Sequence, residues 1–91
     1  MSKYTPLRDY MAAVPDEVLE FSLSFEKIEE LLNSRLPQKA ERDREWWSNE
    51  VNGRDPQPAA WRQAGWLVKF VELPERWVKF WRDGKNSDKL S

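Results

Sequence analysis

The chain of 91 residues contains no cysteine, no histidine and only three glycines. Without cysteine there is no disulfide framework, no thiolate zinc site and no thiol nucleophile. Without histidine, the commonest metal ligand and the commonest general base near neutral pH are both missing. No apolar run approaches the roughly 20 residues that a membrane helix needs. The opening Met1-Ser2-Lys3-Tyr4-Thr5-Pro6 lacks the apolar segment of a secretory signal. These absences point to a soluble, cytoplasmic domain with no metal and no cofactor. The length allows one domain with a modest core.

What the chain does have is tryptophan. Trp46, Trp47, Trp61, Trp66, Trp77 and Trp81 make six in all. Each buries a large area, and its indole N–H wants a partner. Six exceeds what so small a core should need, so some rings are expected on a surface. Charge is also uneven. Residues 1–50 carry seven Lys/Arg against eleven Asp/Glu, a net −4, whereas residues 51–91 carry eight against five, a net +3. A basic C-terminal part is compatible with a nucleic-acid face, although near-neutral chains of mixed charge equally suit an ordinary solvated surface.

Thr5 reads as a helix cap with Pro6 in the first turn, and Leu7, Tyr10, Met11 and Val14 then form one apolar helical face. Pro15-Asp16 ends it. Leu19, Phe21, Leu23 and Phe25 alternate with polar residues, which predicts a strand over 18–24 with one buried face. Ser24 caps a second helix over 25–33, with Phe25, Ile28, Leu31 and Leu32 as its apolar stripe. After Leu36-Pro37, a charged third helix is predicted from Gln38 to about Trp47. Adjacent helical residues point about 100° apart, so one ring of the Trp46-Trp47 pair is expected in the core and the other partly exposed.

Residues 49–58 form a loop rich in Asn, Gly, Asp and Pro. Pro58 to Ala64 make a short helix closed by Gly65, with Trp61 and Ala64 sharing a face toward Trp66. Trp66–Leu73 and Arg76–Arg82 read as a hairpin turning at Pro74-Glu75. Residues 83–91 are polar and expected to fray. The result is a single α+β, winged-helix-like small domain over residues 1–82. Its order is helix, strand, helix, helix, short helix, β-hairpin, with 37–47 as the recognition helix and 66–82 as the wing.

On that frame, Lys39, Arg42 and Arg44, preceded by Arg35, are positioned to meet phosphates, and Ser48 and Asn49 to reach base edges. Arg62, Arg76 and Lys79 would add backbone contacts, since a binder must bring several cations to one surface. The same helix also reads as a solvated one laced with ion pairs, because Glu41, Asp43 and Glu45 interleave with its cations. In the hairpin, Val78 and Phe80 facing inward would leave Trp77 and Trp81 flanking Lys79 on the opposite face, extended by Phe70 and Lys69. Aromatics among lysines can stack bases, anchor a protein partner or form a dimer interface. Carboxylate pairs such as Asp16-Glu17 and Glu29-Glu30 sit where a turn or a solvated helix explains them, so no enzyme is expected.

Lys3-Tyr4-Thr5-Pro6-Leu7, Leu23-Ser24-Phe25-Glu26-Lys27-Ile28-Glu29, Leu36-Pro37, Trp46-Trp47-Ser48-Asn49 and Ala60-Trp61-Arg62-Gln63-Ala64-Gly65-Trp66 form a series. It resembles a small, functionally uncharacterised bacterial and phage domain family with the pattern KYxPL…LTFxEIExxL…LP…WWxN…AWxxAGW and a closing hairpin. The resemblance spans residues 3 to 82. It implies a nucleic-acid context, because such domains occur free-standing and attached to nuclease-like proteins, and it brings no catalytic residue. The Asp-Pro-rich loop at 52–58 and the aromatics Phe70, Trp77 and Trp81 depart from the pattern.

Two functions follow as expectations. One is a non-enzymatic DNA-binding domain that uses a helix-turn-helix-like pair and a basic aromatic wing. The other is a protein-interaction module, such as a phage-type inhibitor or adaptor, that binds through Phe70, Trp77 and Trp81.

Overall fold

The computed structural model describes residues 2–84. Helix α1 (Thr5–Ala12) has Pro6 in its first turn, and the Ser2 hydroxyl accepts the Tyr4 N–H at 3.1 Å. Thr5 is thus the first helical residue rather than the cap. Strand β1 (Glu20–Ser24) starts later than the alternation predicts, and Leu19 is 67% exposed. The inner face at that end is closed instead by Arg82. Its guanidinium lies 4.0 Å from the Trp66 ring and donates to the carbonyls of Val14, Pro15 and Val18.

Helix α2 (Phe25–Leu32) begins where Ser24 Oγ accepts the Lys27 N–H at 3.0 Å, and ends where Asn33 turns left-handed at φ 54°. Both ends match residue types suited to those positions. Glu29 on α2 accepts the Leu36 N–H at 2.9 Å, which fixes the connection to α3 (Gln38–Arg42).

Helix α3 does not reach Trp47. It stops at Arg42, Asp43 is extended, and a 3₁₀ turn follows over Arg44–Trp47. Asp43 itself makes the break, because its carboxylate accepts the Glu45 N–H at 2.9 Å. Short acidic side chains compete with the helix in this way. The tighter turn lets both Trp46 and Trp47 enter the core, contrary to the expectation of one partly exposed ring. Trp47 stacks on Phe25 and Trp61, with centroids 5.1 and 5.9 Å away, and its indole N–H donates to the Ala40 carbonyl at 2.8 Å. Trp46 meets Tyr4 edge-on at 5.9 Å.

Helix α4 (Gln57–Gln63) buries Gln57, whose Nε2 donates to the Trp46 carbonyl at 3.0 Å, and it ends at Gly65 with φ 90°. Strands β2 (Trp66–Glu72) and β3 (Trp77–Arg82) form the hairpin. Its turn closes with Arg76 N–H on the Leu73 carbonyl at 3.2 Å, and Arg76 itself is left-handed at φ 60°. The sheet is antiparallel in the order β1-β3-β2. Its inner face, with Leu23, Val71, Val78, Phe80 and Trp66, packs on the helices. The domain is α+β and winged-helix-like.

Asp83, which was expected to fray, is held in place: its N–H donates to the Gly65 carbonyl at 3.0 Å and its carboxylate lies 3.3 Å from Arg62. Residues 85–91 of the expected tail lie outside the described residues.

Candidate nucleic-acid interface

The eight positions picked out for nucleic acid divide by what holds them. Lys39 and Arg42 sit three residues apart on α3, on one helical face, and Arg44 opens the 3₁₀ turn. All three are exposed, and none has an ion pair among the described residues. None of the interleaved acids Glu41, Asp43 and Glu45 forms an ion pair with them among the described residues. Glu41 turns to the hairpin and binds Arg76 Nε at 3.0 Å, while Asp43 caps the turn. The helix is therefore not laced with its own ion pairs.

The remaining positions hold the fold together. Arg62 donates to the Asn49 carbonyl at 2.9 Å and pairs with Asp83. Arg76 bridges Glu41 and Glu29, the latter at 3.8 Å, and so ties the turn of the hairpin to α2 and α3. Asn49 spends both ends of its amide on the β2 backbone: Oδ1 accepts the Val68 N–H at 2.7 Å and Nδ2 donates to the Val68 carbonyl at 3.0 Å. It serves as a clamp on a strand edge rather than a group presented outward. Ser48 Oγ accepts the Glu50 N–H at 2.9 Å.

Lys79 pairs with Glu20 at 3.3 Å, and Lys69 reaches the other oxygen of the same carboxylate at 3.3 Å. These two lysines, Lys69 first, hold the Glu20 carboxyl below its ordinary value. Glu20 was not singled out from the sequence, since one acid in a strand carries no mark of its cross-strand neighbours.

The outer face of the sheet sets Phe70, Trp77 and Trp81 among charged and polar residues. Val78 and Phe80 are fully buried, and Phe70 and Trp81 are 44% and 43% exposed. Phe70 meets Trp77 edge-on at 5.1 Å, and Lys69 Nζ stands 5.0 Å from the Trp81 ring. A register shift between Val68 and Phe70 explains how consecutive residues share that face. The bulge sets Lys69 beside Phe70 instead of turning it inward. Strict alternation could not have shown this.

A cleft of about 230 Å³ lies between the start of α1 and α4, lined by Tyr4, Thr5, Arg8, Ala60 and Gln63 among others. It is smaller than the usual range for a drug-sized ligand. Burial pushes the Tyr4 phenol up from its ordinary value. Among the described residues, no three carboxylates converge as a metal site would require, and no helix is long and apolar enough to cross a membrane.

No curated protein and no solved structure matches the chain. One family model does match, over residues 4–83, an extent that runs from the start of α1 past the end of β3. The chain therefore belongs to the family described as Domain of unknown function (DUF7662).

Proposed function

We propose that this domain binds duplex DNA without catalysing a reaction, through the exposed side of α3 and the 3₁₀ turn. The observation that carries the reading is that Lys39, Arg42 and Arg44 stand free at the recognition-helix position of a winged-helix-like fold. Between them, Glu41 pairs with Arg76 and the Asp43 carboxylate caps the Glu45 N–H, so neither pairs with these cations. A cation already paired gains less from a phosphate, because binding must first break the existing pair. The contact set thus contracts from eight positions to these three, with Arg35 beside them and Ser48 at the rim. Arg76 anchors α3 from the hairpin turn through Glu41, while Arg62, Lys79 and Asn49 are committed to partners elsewhere in the fold. The resemblance to bacterial and phage domains found with nuclease-like proteins supports the same reading.

The experiment is fluorescence anisotropy against a mixed-sequence duplex and its single strand, at about 50 and about 200 mM salt. Three phosphate contacts predict a slope near −2.7 in log affinity against log salt, or about 40-fold weaker binding across that interval. The triple substitution Lys39→Ala/Arg42→Ala/Arg44→Ala should abolish the salt-dependent part. No binding at low salt, or binding that the triple variant leaves intact, would overturn the assignment.

A further inference from the structure

We infer that the outer face of the sheet is a self-association surface that takes a second copy of this chain, packed face to face about a two-fold axis. An antiparallel sheet with one buried face ordinarily turns a polar face to water. Here the outward side carries Phe70, Trp77 and Trp81, with Leu67 half-buried opposite Trp81. These form two apolar pairs, Phe70 with Trp77 and Leu67 with Trp81, on either side of Lys79, while the outward residues of β1 are polar. The bulge adds to this face, since Lys69 and Phe70 both stay outside.

The occupant is indicated by the charge at the two ends of this face. Toward the Trp81 end, the Glu20 carboxylate opposite Trp81 holds Lys69 and, reaching from the middle of β3, Lys79, which leaves one net positive charge. At the hairpin end, Glu72 lies opposite Trp77 in the register, and Glu75 accepts the Trp77 indole N–H at 3.3 Å, which makes two negative charges. Trp77 and Trp81 are four residues apart along β3, about 13 Å. A two-fold axis through the middle of the face lays the acidic end of one copy over the basic end of the other, twice, with the aromatic rings between. Such an isologous contact is self-complementary by construction.

Edge-to-edge joining through β2 is interrupted at Val68, because Asn49 occupies both its N–H and its carbonyl. Face-to-face packing of twisted sheets remains open. A three-stranded face is small, so the dimer belongs to the weak class of interfaces, with dissociation in the range of about 10–100 µM. The inference is independent of the DNA reading, since none of its residues lies on α3.

Sedimentation velocity on the 91-residue chain, from about 5 µM to about 1 mM, tests it across that range. The mass should rise from the 10.9 kDa of one chain toward twice that value. Phe70→Ser/Trp81→Ser, whose side chains point away from the core, should stay monomeric while keeping the wild-type circular dichroism spectrum. Glu72→Lys/Glu75→Lys and Lys69→Glu/Lys79→Glu should each be monomeric alone, and an equimolar mixture of the two should dimerise, because both ends are then complementary again. A wild-type mass that stays at one chain overturns the proposal, as does a dimer that survives in the folded aromatic variant. A mixture that fails to associate overturns the two-fold charge pairing.

Discussion

Trp47 and Trp61 stack on each other in the core, yet their indole N–H groups fare differently. Trp47 donates to the Ala40 carbonyl, whereas Trp61 Nε1 is buried with no partner among the described residues. Replacing Trp47 by Phe therefore removes a hydrogen bond and strands a carbonyl, while replacing Trp61 by Phe also discards an unpaired donor. Urea denaturation should show Trp47→Phe to be the costlier of the two by about 1–2 kcal/mol. Asn49 is a second residue whose chemistry is specific. Asn49→Asp keeps the acceptor for the Val68 N–H but loses the donor to its carbonyl. Both Asn49→Asp and Asn49→Ala should destabilise by about 1–3 kcal/mol and speed amide exchange at Val68. Glu20 behaves differently again. Its carboxyl is held low by Lys69 and Lys79, so its contribution to stability is present above the ordinary glutamate value and is lost as pH falls through the lowered one. An NMR titration should find Glu20 ionising below its ordinary value, and Lys69→Ala should move it back up.

At the scale of the element, helix ends decide more than helix interiors. The second helix starts at Ser24, a residue that also closes the first strand, and Ser24 Oγ on the Lys27 N–H marks the boundary. Ser24→Ala should cost about 1 kcal/mol, a fall in Tm of about 4–8 °C for a domain of this size, measured by thermal denaturation. The cap, the apolar stripe of Phe25 and Ile28 and the stop at Asn33 were all legible in the sequence, because each is a local pattern. The end of the third helix was not. Gln38 to Trp47 has helical composition throughout, and what breaks it is the competition between the Asp43 carboxylate and the helix, combined with two indoles that both gain from entering the core. The bulge at Val68/Phe70 escaped notice for a similar reason: an inserted residue shows only against its partner strand.

At the scale of the whole molecule, two sets of three described cations differ in whether the fold uses them. Arg62, Arg76 and Arg82 tie distant segments together through carboxylates or backbone carbonyls. Lys39, Arg42 and Arg44 touch no acid among the described residues. The triple alanine substitution of the second group should leave stability within about 0.5 kcal/mol of wild type while removing DNA binding. Arg62→Ala should do the reverse, costing about 1.5–3 kcal/mol, because Asp83 and the Asn49 carbonyl lose a charged partner. A stability measurement paired with an anisotropy titration on the same two proteins checks both halves. If the triple variant unfolds, these cations have structural partners after all.

The order of elements, the hairpin with its turn at Pro74-Glu75 and the inward Val78 and Phe80 were all set by sequence alone, because period and capping act over a few residues. Tertiary structure decided which charges are spent. Glu41 sits among cations in sequence but binds Arg76, which lies 35 residues away. Asn49 looks like a surface amide and instead closes a strand edge 19 residues on. Charge pairing at a distance depends on which segments the core brings together, and no local pattern carries that information.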